Sequence, residues 1–220
     1  AVIDSTIHRQ SALKDSFGPS ASVMDTMQQG AGADAAAMSM PMPPSNLMKD
    51  MSENRLICLL KDMLSDDAPS MQRVRHTFAE TCASMVKAAV RMTSQFNNHA
   101  CFTLCDFLEE MLTLYDEAEL PIGSKKYIDW PFWMDVLQRI LNSMHTMSEV
   151  RVLSFIFSVW DIVTKDPKRK AAFCLDWLLS EETFDTFFNH WCPMVRAYYH
   201  RLLCWRICRD QGKTIDAVDE

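Results

Sequence analysis

The residues best equipped for chemistry gather in one stretch, from His190 through Cys192 and Pro193 to Cys208. His200, Cys204 and Cys208 fall at i, i+4 and i+8, which puts all three on one face of a helix. Imidazole and thiolate are zinc ligands, but tetrahedral zinc takes four, and a single helix face supplies two neighbours. A nucleophilic thiol needs a depressed pKa, as at a helix N-terminus beside a base. Cys192, just ahead of Pro193 and close to His190, is the thiol so placed. Residues that near in sequence seldom face each other, so a thiol- or zinc-dependent enzyme centred on His190, Cys192 and His200 is the second of two readings. The first treats them as core residues, with no metal and no cofactor. His99, Cys101 and Cys105 repeat the pattern more weakly.

The same stretch carries cations. Arg196, Arg201, Arg206 and Arg209 do not share one α-helical face, as a simple phosphate-binding strip would require. Their stems are expected to pack while the guanidiniums reach carboxylates or helix-end carbonyls. An anion or acidic-partner site at Arg196, Arg201 and Arg206 is the alternative, with Lys125 and Lys126 a further pair of candidate binding residues.

These side chains need helices to hold them. Ser180 followed by Glu181 and Glu182 reads as a helix start, a capping hydroxyl with carboxylates at the positive end of the dipole. Phe184, Phe187, Phe188 and Trp191 follow at helical spacing. Pro193 fits the first turn of a new helix or a kink in one long helix. Val195, Tyr198, Leu202 and Trp205 then form one stripe, widened by Tyr199, Leu203, Cys204 and Ile207 until little of the circumference is polar. Such a helix is an interior helix. The stretch Trp177 to Arg209 is therefore expected to be the central support, with Trp205 in the core, where truncation to alanine would cost roughly 3–5 kcal/mol.

Three runs carry a resemblance: RVLSFIFSVWDIV (Arg151 to Val163), CLDWLLS (Cys174 to Ser180) and FFNHWCPMVRAYYHRLLCWRICR (Phe187 to Arg209). Together they resemble an uncharacterised fungal family of membrane-associated proteins that carries a domain of unknown function. The resemblance implies an all-helical segment of a larger fungal protein and brings no catalytic residues with it.

Elsewhere the chain divides by composition. Residues 1–49 are rich in Ser, Ala, Met, Gly and Pro and end in PMPPSN, so a disordered arm or linker is expected. Residues 50–211 read as one all-helical domain and 212–220 as a polar tail. Leu56, Leu59, Leu60 and Met63 mark a first helix. A second, capped by Ser70, would keep Val74, Phe78, Cys82, Met85, Ala89, Met92 and Phe96 on one face. Phe102, Cys105, Leu108, Leu112 and Tyr115 define a third, whose acidic face (Asp106, Glu109, Glu110, Asp116, Glu117 and Glu119) reads as solvated. Asp129 is placed to cap a helix carrying Trp130, Trp133, Leu137 and Ile140, and Ser148 to open one carrying Val150, Leu153, Phe157 and Trp160. Asp166-Pro167 starts another, holding Phe173, Trp177 and Leu178, with the triplet Lys168-Arg169-Lys170 as a solvated helix start. The class is all-α. Two apolar stripes per helix suggest stacked antiparallel pairs of the armadillo or HEAT kind, a closed bundle being the alternative.

Composition bounds the function. The chain has 220 residues and a net charge of −7, against the basic footprint that general nucleic-acid binding needs. Its 5 glycines form no nucleotide-binding fingerprint. Its 8 cysteines include no CxxC pair, and they read as reduced, buried thiols of a cytoplasmic protein. No signal peptide is expected at Ala1, and the chain reads as a fragment or processed product. The longest apolar run, Val150 to Val163, stops short of the ~20 residues a spanning helix needs. Peripheral membrane attachment through Lys125-Lys126 or Lys168-Arg169-Lys170 stays open. A non-enzymatic scaffold that binds other proteins, with no nucleic acid and no small-molecule substrate inferred, is the leading expectation. Because residues 1–49 lack a periodic apolar face, trimming them should leave the thermal midpoint nearly unchanged. A fall of more than about 5 °C, on the order of 1–2 kcal/mol for a domain of this size, would contradict that.

Overall fold

The computed structural model describes residues 54–65, 68 and 70–209. The expected arm over 1–49 and tail over 212–220 lie outside the described residues. Within them the chain is all-helical: α1 (Arg55–Ser65), α2 (Gln72–Arg91), α3 (Asn98–Glu117), α4 (Trp130–Leu141), α5 (Thr146–Ser158), a single turn α6 (Trp160–Val163), α7 (Pro167–Phe173), α8 (Glu181–Phe188) and α9 (Pro193–Leu202). Two π-turns, Cys174–Leu178 and Leu203–Ile207, continue α7 and α9.

Local chemistry sets the helix starts. The Asn97 side chain accepts the Ala100 N–H at 3.1 Å, Asp166 accepts from Lys168 at 2.9 Å, and the Ser180 hydroxyl accepts from Thr183 at 3.4 Å. Pro131, Pro167 and Pro193 occupy first-turn positions, where a missing N–H costs nothing. Pro193 thus begins a new helix rather than kinking an old one. At the end of α3 the Leu120 N–H reaches the Tyr115 carbonyl and the Glu119 N–H the Asp116 carbonyl, both at 3.0 Å, a Schellman close with Glu119 at φ 52° in the glycine-favouring region.

Helix α5 lies at the centre. It packs against α3, α4, α6 and α9, and it buries Val150, Val152, Leu153, Phe155 and Ile156. The central support is therefore α5 rather than the stretch after Trp177. Helices α1, α3, α5 and α9 neighbour one another in succession, while α2, α4 and α8 contact α1, α5 and α9 respectively. The core runs continuously through all of them, with Tyr115, Phe107, Phe173, Phe187 and Tyr199 among its largest fully enclosed side chains.

A buried ion triad ties α3 to α5. Arg151 donates from Nε to Asp106 at 2.7 Å and from Nη2 to Glu109 at 2.8 Å, and its side chain is only 12% exposed. Two members of the acidic face expected to be solvated are thus internal partners of a cation. Arg169, expected in solvent, is buried too. Its Nε and Nη2 take the Val163 and Ile162 carbonyls at 2.6 and 3.0 Å, while its guanidinium carbon lies 4.5 Å from the Trp130 ring centre.

Other expectations of register need correction. Helix α2 buries Ala79, Cys82, Ala83, Val86 and Val90 and leaves Val74, Met85, Met92 and Phe96 outside. The buried face thus carries small and β-branched side chains, while the larger Met85 and Met92 stay outside. The helix ends at Arg91, and it starts after Met71 with no side-chain cap, so Ser70 is not its cap. On α1, Ile57 and Leu64 are buried and Leu59 is exposed. Asp129 precedes α4 without capping it; its carboxylate pairs with Lys87 instead. His145, not Ser148, caps α5, accepting the Ser148 N–H at 3.3 Å.

Arg151→Ala would leave Asp106 and Glu109 side by side without their cation. The expected loss is about 3–5 kcal/mol in denaturant unfolding. A variant that unfolds within 1 kcal/mol of the parent, about the worth of a surface pair, would remove Arg151 from this role.

Candidate interaction surface

Helix α9 is built to be held on one side. Val195, Tyr199 and Leu202 are fully enclosed, and the Tyr199 hydroxyl donates to the Leu178 carbonyl at 2.6 Å, tying α9 into the first π-turn. Past Leu202 the winding loosens. The Cys208 N–H bonds the Leu203 carbonyl, five residues back, at 2.8 Å. A π-turn advances fewer degrees per residue than an α-turn, so it changes which residues share a face.

That change has two visible results. Arg201 and Arg206, which an ideal α-helix would separate, both place guanidinium carbons over the Phe157 ring, at 4.4 and 4.5 Å from its centre. Trp205 is turned out of the Val195–Leu202 stripe and is 57% exposed. The core position expected for Trp205 is therefore wrong, and the wider turn is the reason. Arg209 lies over the Trp205 ring at 5.0 Å. Arg201, Cys204, Trp205, Cys208 and Arg209 are all exposed, at a spacing near four residues that the widened turn keeps on one side.

The other arginines and the lysines sit elsewhere. Arg196 donates to the His190 carbonyl at 3.1 Å, holding the link between α8 and α9. Arg206 donates to the Phe157 carbonyl at 3.1 Å and stands 3.5 Å from Asp161. Lys125 and Lys126, on the loop before α4, are exposed, 3.9 Å from Asp129 and 3.7 Å from Glu80 respectively. The structure brings Arg201 and Arg206 together and leaves Arg196, Lys125 and Lys126 in separate settings.

The histidines and thiols do not converge. His190 is buried against Phe187, ring on ring at 5.8 Å. Its Nδ1 accepts the Cys192 N–H at 3.2 Å, which leaves the proton on Nε2, 3.5 Å from the Glu149 carboxylate. His200 Nε2 is engaged by the Phe188 carbonyl at 3.0 Å. Among the described residues no three His, Cys, Asp or Glu side chains are grouped to hold a metal ion. None of the 8 cysteines is in a disulfide. Burial pushes the Cys82 and Cys101 thiols up to about 11 and Cys105 to about 12, whereas Cys58, Cys204 and Cys208 are exposed, against the expectation of buried thiols.

Glu149 escaped the sequence reading. It is 3% exposed, and burial raises its pKa while His190 opposes the rise. The signal was present: Glu149 stands at helical spacing with Leu153, Ile156 and Trp160, a carboxylate inside an apolar stripe.

Comparison with known proteins places this geometry in context. The family described as "Protein of unknown function (DUF1765)" matches residues 82–207, from α2 to the last π-turn. A Schizosaccharomyces pombe protein named a UPF0592 membrane protein is 39% identical over 117 residues, which is 53% of this chain and 12% of that protein's length. The chain thus matches a small part of that relative. No solved structure matches it significantly. No helix among the described residues is long and apolar enough to cross a membrane.

Two substitutions separate surface from support on α9. Trp205→Ala should change unfolding free energy by less than about 1 kcal/mol, as for other exposed positions. Tyr199→Phe strands the buried Leu178 carbonyl and should cost about 1–3 kcal/mol. Thermal melts showing the reverse order would return Trp205 to the core.

Proposed function

Since the chain belongs to the family described as Protein of unknown function (DUF1765), which brings no reaction with it, we propose from its own surface that it is a non-enzymatic helical scaffold segment of a larger fungal protein. It mediates protein–protein interaction in the cytoplasm, at an intracellular membrane to which it attaches peripherally. The observation that supports this reading is where the polar chemistry sits. The enclosed polar groups face one another across helices: Arg151 with Asp106 and Glu109, Lys87 with Asp129, and His190 beside Glu149. The outside instead carries large exposed aromatics, Phe96, Trp191 and Trp205, the last with Arg209 over its ring. Exposed aromatics and arginines are the residue types that dominate interaction surfaces. The succession α1, α3, α5, α9, with α2, α4 and α8 each set against one member, is read as stacked helix pairs of the armadillo type.

The membrane element of the reading draws on the S. pombe relative, which is named a membrane protein; among the described residues no helix is long and apolar enough to cross a bilayer, so the attachment proposed is peripheral. Amine cross-linking of the full-length protein in its own cells tests the scaffold role. Lys125 and Lys126 are exposed and should be captured reproducibly on one other polypeptide. Cross-links that stay within the chain at every lysine of residues 82–207, together with stoichiometric zinc removable only by chelation, would overturn the reading in favour of an enzyme centred on His190, Cys192 and His200.

A further inference from the structure

We propose that Arg201, Trp205 and Arg209, presented on one side by the widened end of α9, dock this chain on an anionic lipid surface. The inference rests on the peripheral attachment proposed above and names the face that performs it. Among the described residues, the exposed positions after Leu202 are Cys204, Trp205, Cys208 and Arg209, with Arg201 one turn before Trp205. Between the cations this face is an indole and two thiols, a weakly polar strip bordered by guanidiniums. An indole of this kind settles at the headgroup level of a bilayer, its ring in the apolar boundary and its N–H in the wet layer. Arginine stems lie along apolar surface while their heads reach phosphate.

Charge favours the same occupant. Arg201 and Arg209 contact the rings of Phe157 and Trp205, and among the described residues they make no hydrogen bond or ion pair. Both side chains are exposed, and a guanidinium lying over a ring keeps its N–H donors in its own plane, where phosphate or carboxylate oxygens can meet them. Arg206 adds a third cation, shared with Asp161, the carboxylate that stands beside it. A chain of net charge −7 has no general attraction to an anionic surface, so a local concentration of arginines at one exposed end directs the contact there. Shape argues against an extended acidic peptide. Among the described residues, a cleft of about 320 Å³ that could take a peptide lies between α2, α3 and α4, lined by Arg91, Phe132, Val136 and Arg139, and α9 contributes nothing to it. A protruding tryptophan on a convex helix suits a fluid surface that closes around it.

The test uses the 220-residue chain and co-sedimentation with phosphatidylcholine vesicles, with and without phosphatidylserine. The parent chain should bind the mixed vesicles at low salt, bind phosphatidylcholine alone far more weakly, and be released as salt rises. Arg201→Gln with Arg209→Gln should lower the partition coefficient roughly thirtyfold, the worth of two surface cations near an anionic leaflet. Trp205→Ala should weaken binding and remove a lipid-dependent blue shift in fluorescence. Lys125→Gln with Lys126→Gln should bind like the parent, and all variants should melt like it. No binding by the parent, binding unchanged in the arginine and tryptophan variants, or binding lost only with the lysines would each overturn the proposal. If the face variants lose a cross-linked protein partner while vesicles are never bound, the face is a protein contact: the lipid inference fails and the scaffold reading stands. Vesicle binding by the face with no cross-linked partner gives the opposite result.

Discussion

The buried bond between Arg151 and its two carboxylates sets the relation of α3 to α5, and most of the fold hangs on that relation. Removing a guanidinium and two carboxylates from water is costly, and the cost is offset only while Asp106 and Glu109 stay within 2.6–2.8 Å of the cation. Sliding α5 along α3 by one turn would break both contacts at once. Apolar packing alone is forgiving of such slips, since many pairings of Leu, Val and Phe bury similar area. The triad is directional, and it selects one register. Because α5 also carries α4 and α9, fixing α5 on α3 positions the C-terminal helices as well.

Cations recur as terminators in this fold. Arg169 takes the carbonyls of Ile162 and Val163 as α6 ends, and Arg206 takes that of Phe157 near the end of α5. Carbonyls at helix C-termini have no partner within the helix and carry the negative end of the dipole, so a guanidinium satisfies them twice over. Each arginine also lies over a ring, Trp130 in one case and Phe157 in the other. The two π-turns connect to the same region. The first presents the Leu178 carbonyl to Tyr199, and the second brings Arg206 onto the Phe157 ring that Arg201 already covers from α9. The surface on α9 is thus a product of helix winding as much as of residue content.

The helical class, most of the helix positions and several caps were legible in the sequence, because apolar period and capping chemistry are local. Asp166, Ser180 and Asn97 do what their types predict. What could not be read is what depends on a neighbour. The buried face of α2 was outvoted by larger residues on its other side, since periodicity weighs size and cannot weigh which side a neighbouring helix covers. The acidic residues of α3 looked solvated because their cation lies on α5, more than 40 residues on. Trp205 was assigned to the core by counting 3.6 residues per turn through a segment that does not wind that way. Arg201 and Arg206 were named as binding candidates, but the device that joins them, a π-turn facing Phe157, has no sequence signal that periodicity detects. His190, Cys192 and His200 were grouped by proximity along the chain, whereas each nitrogen of His190 points to a different element.

A lipid-facing role for the end of α9 has to be squared with an acidic chain. Charges in solution at physiological ionic strength act over roughly 8 Å, so carboxylates on the far side of a domain contribute little at a membrane surface. What counts is the set within that distance of the headgroups. Among the described residues the α9 face brings together Arg201, Arg206 and Arg209, with Asp161 3.5 Å from Arg206. Where carboxylates of an acidic chain face anionic headgroups they oppose the approach, so the net charge disfavours orientations that bring them there. A uniformly basic protein would bind such a surface in many poses. In the proposed docking, an acidic chain with a cationic, tryptophan-bearing face favours the poses that bring Arg201, Trp205 and Arg209 to the headgroups.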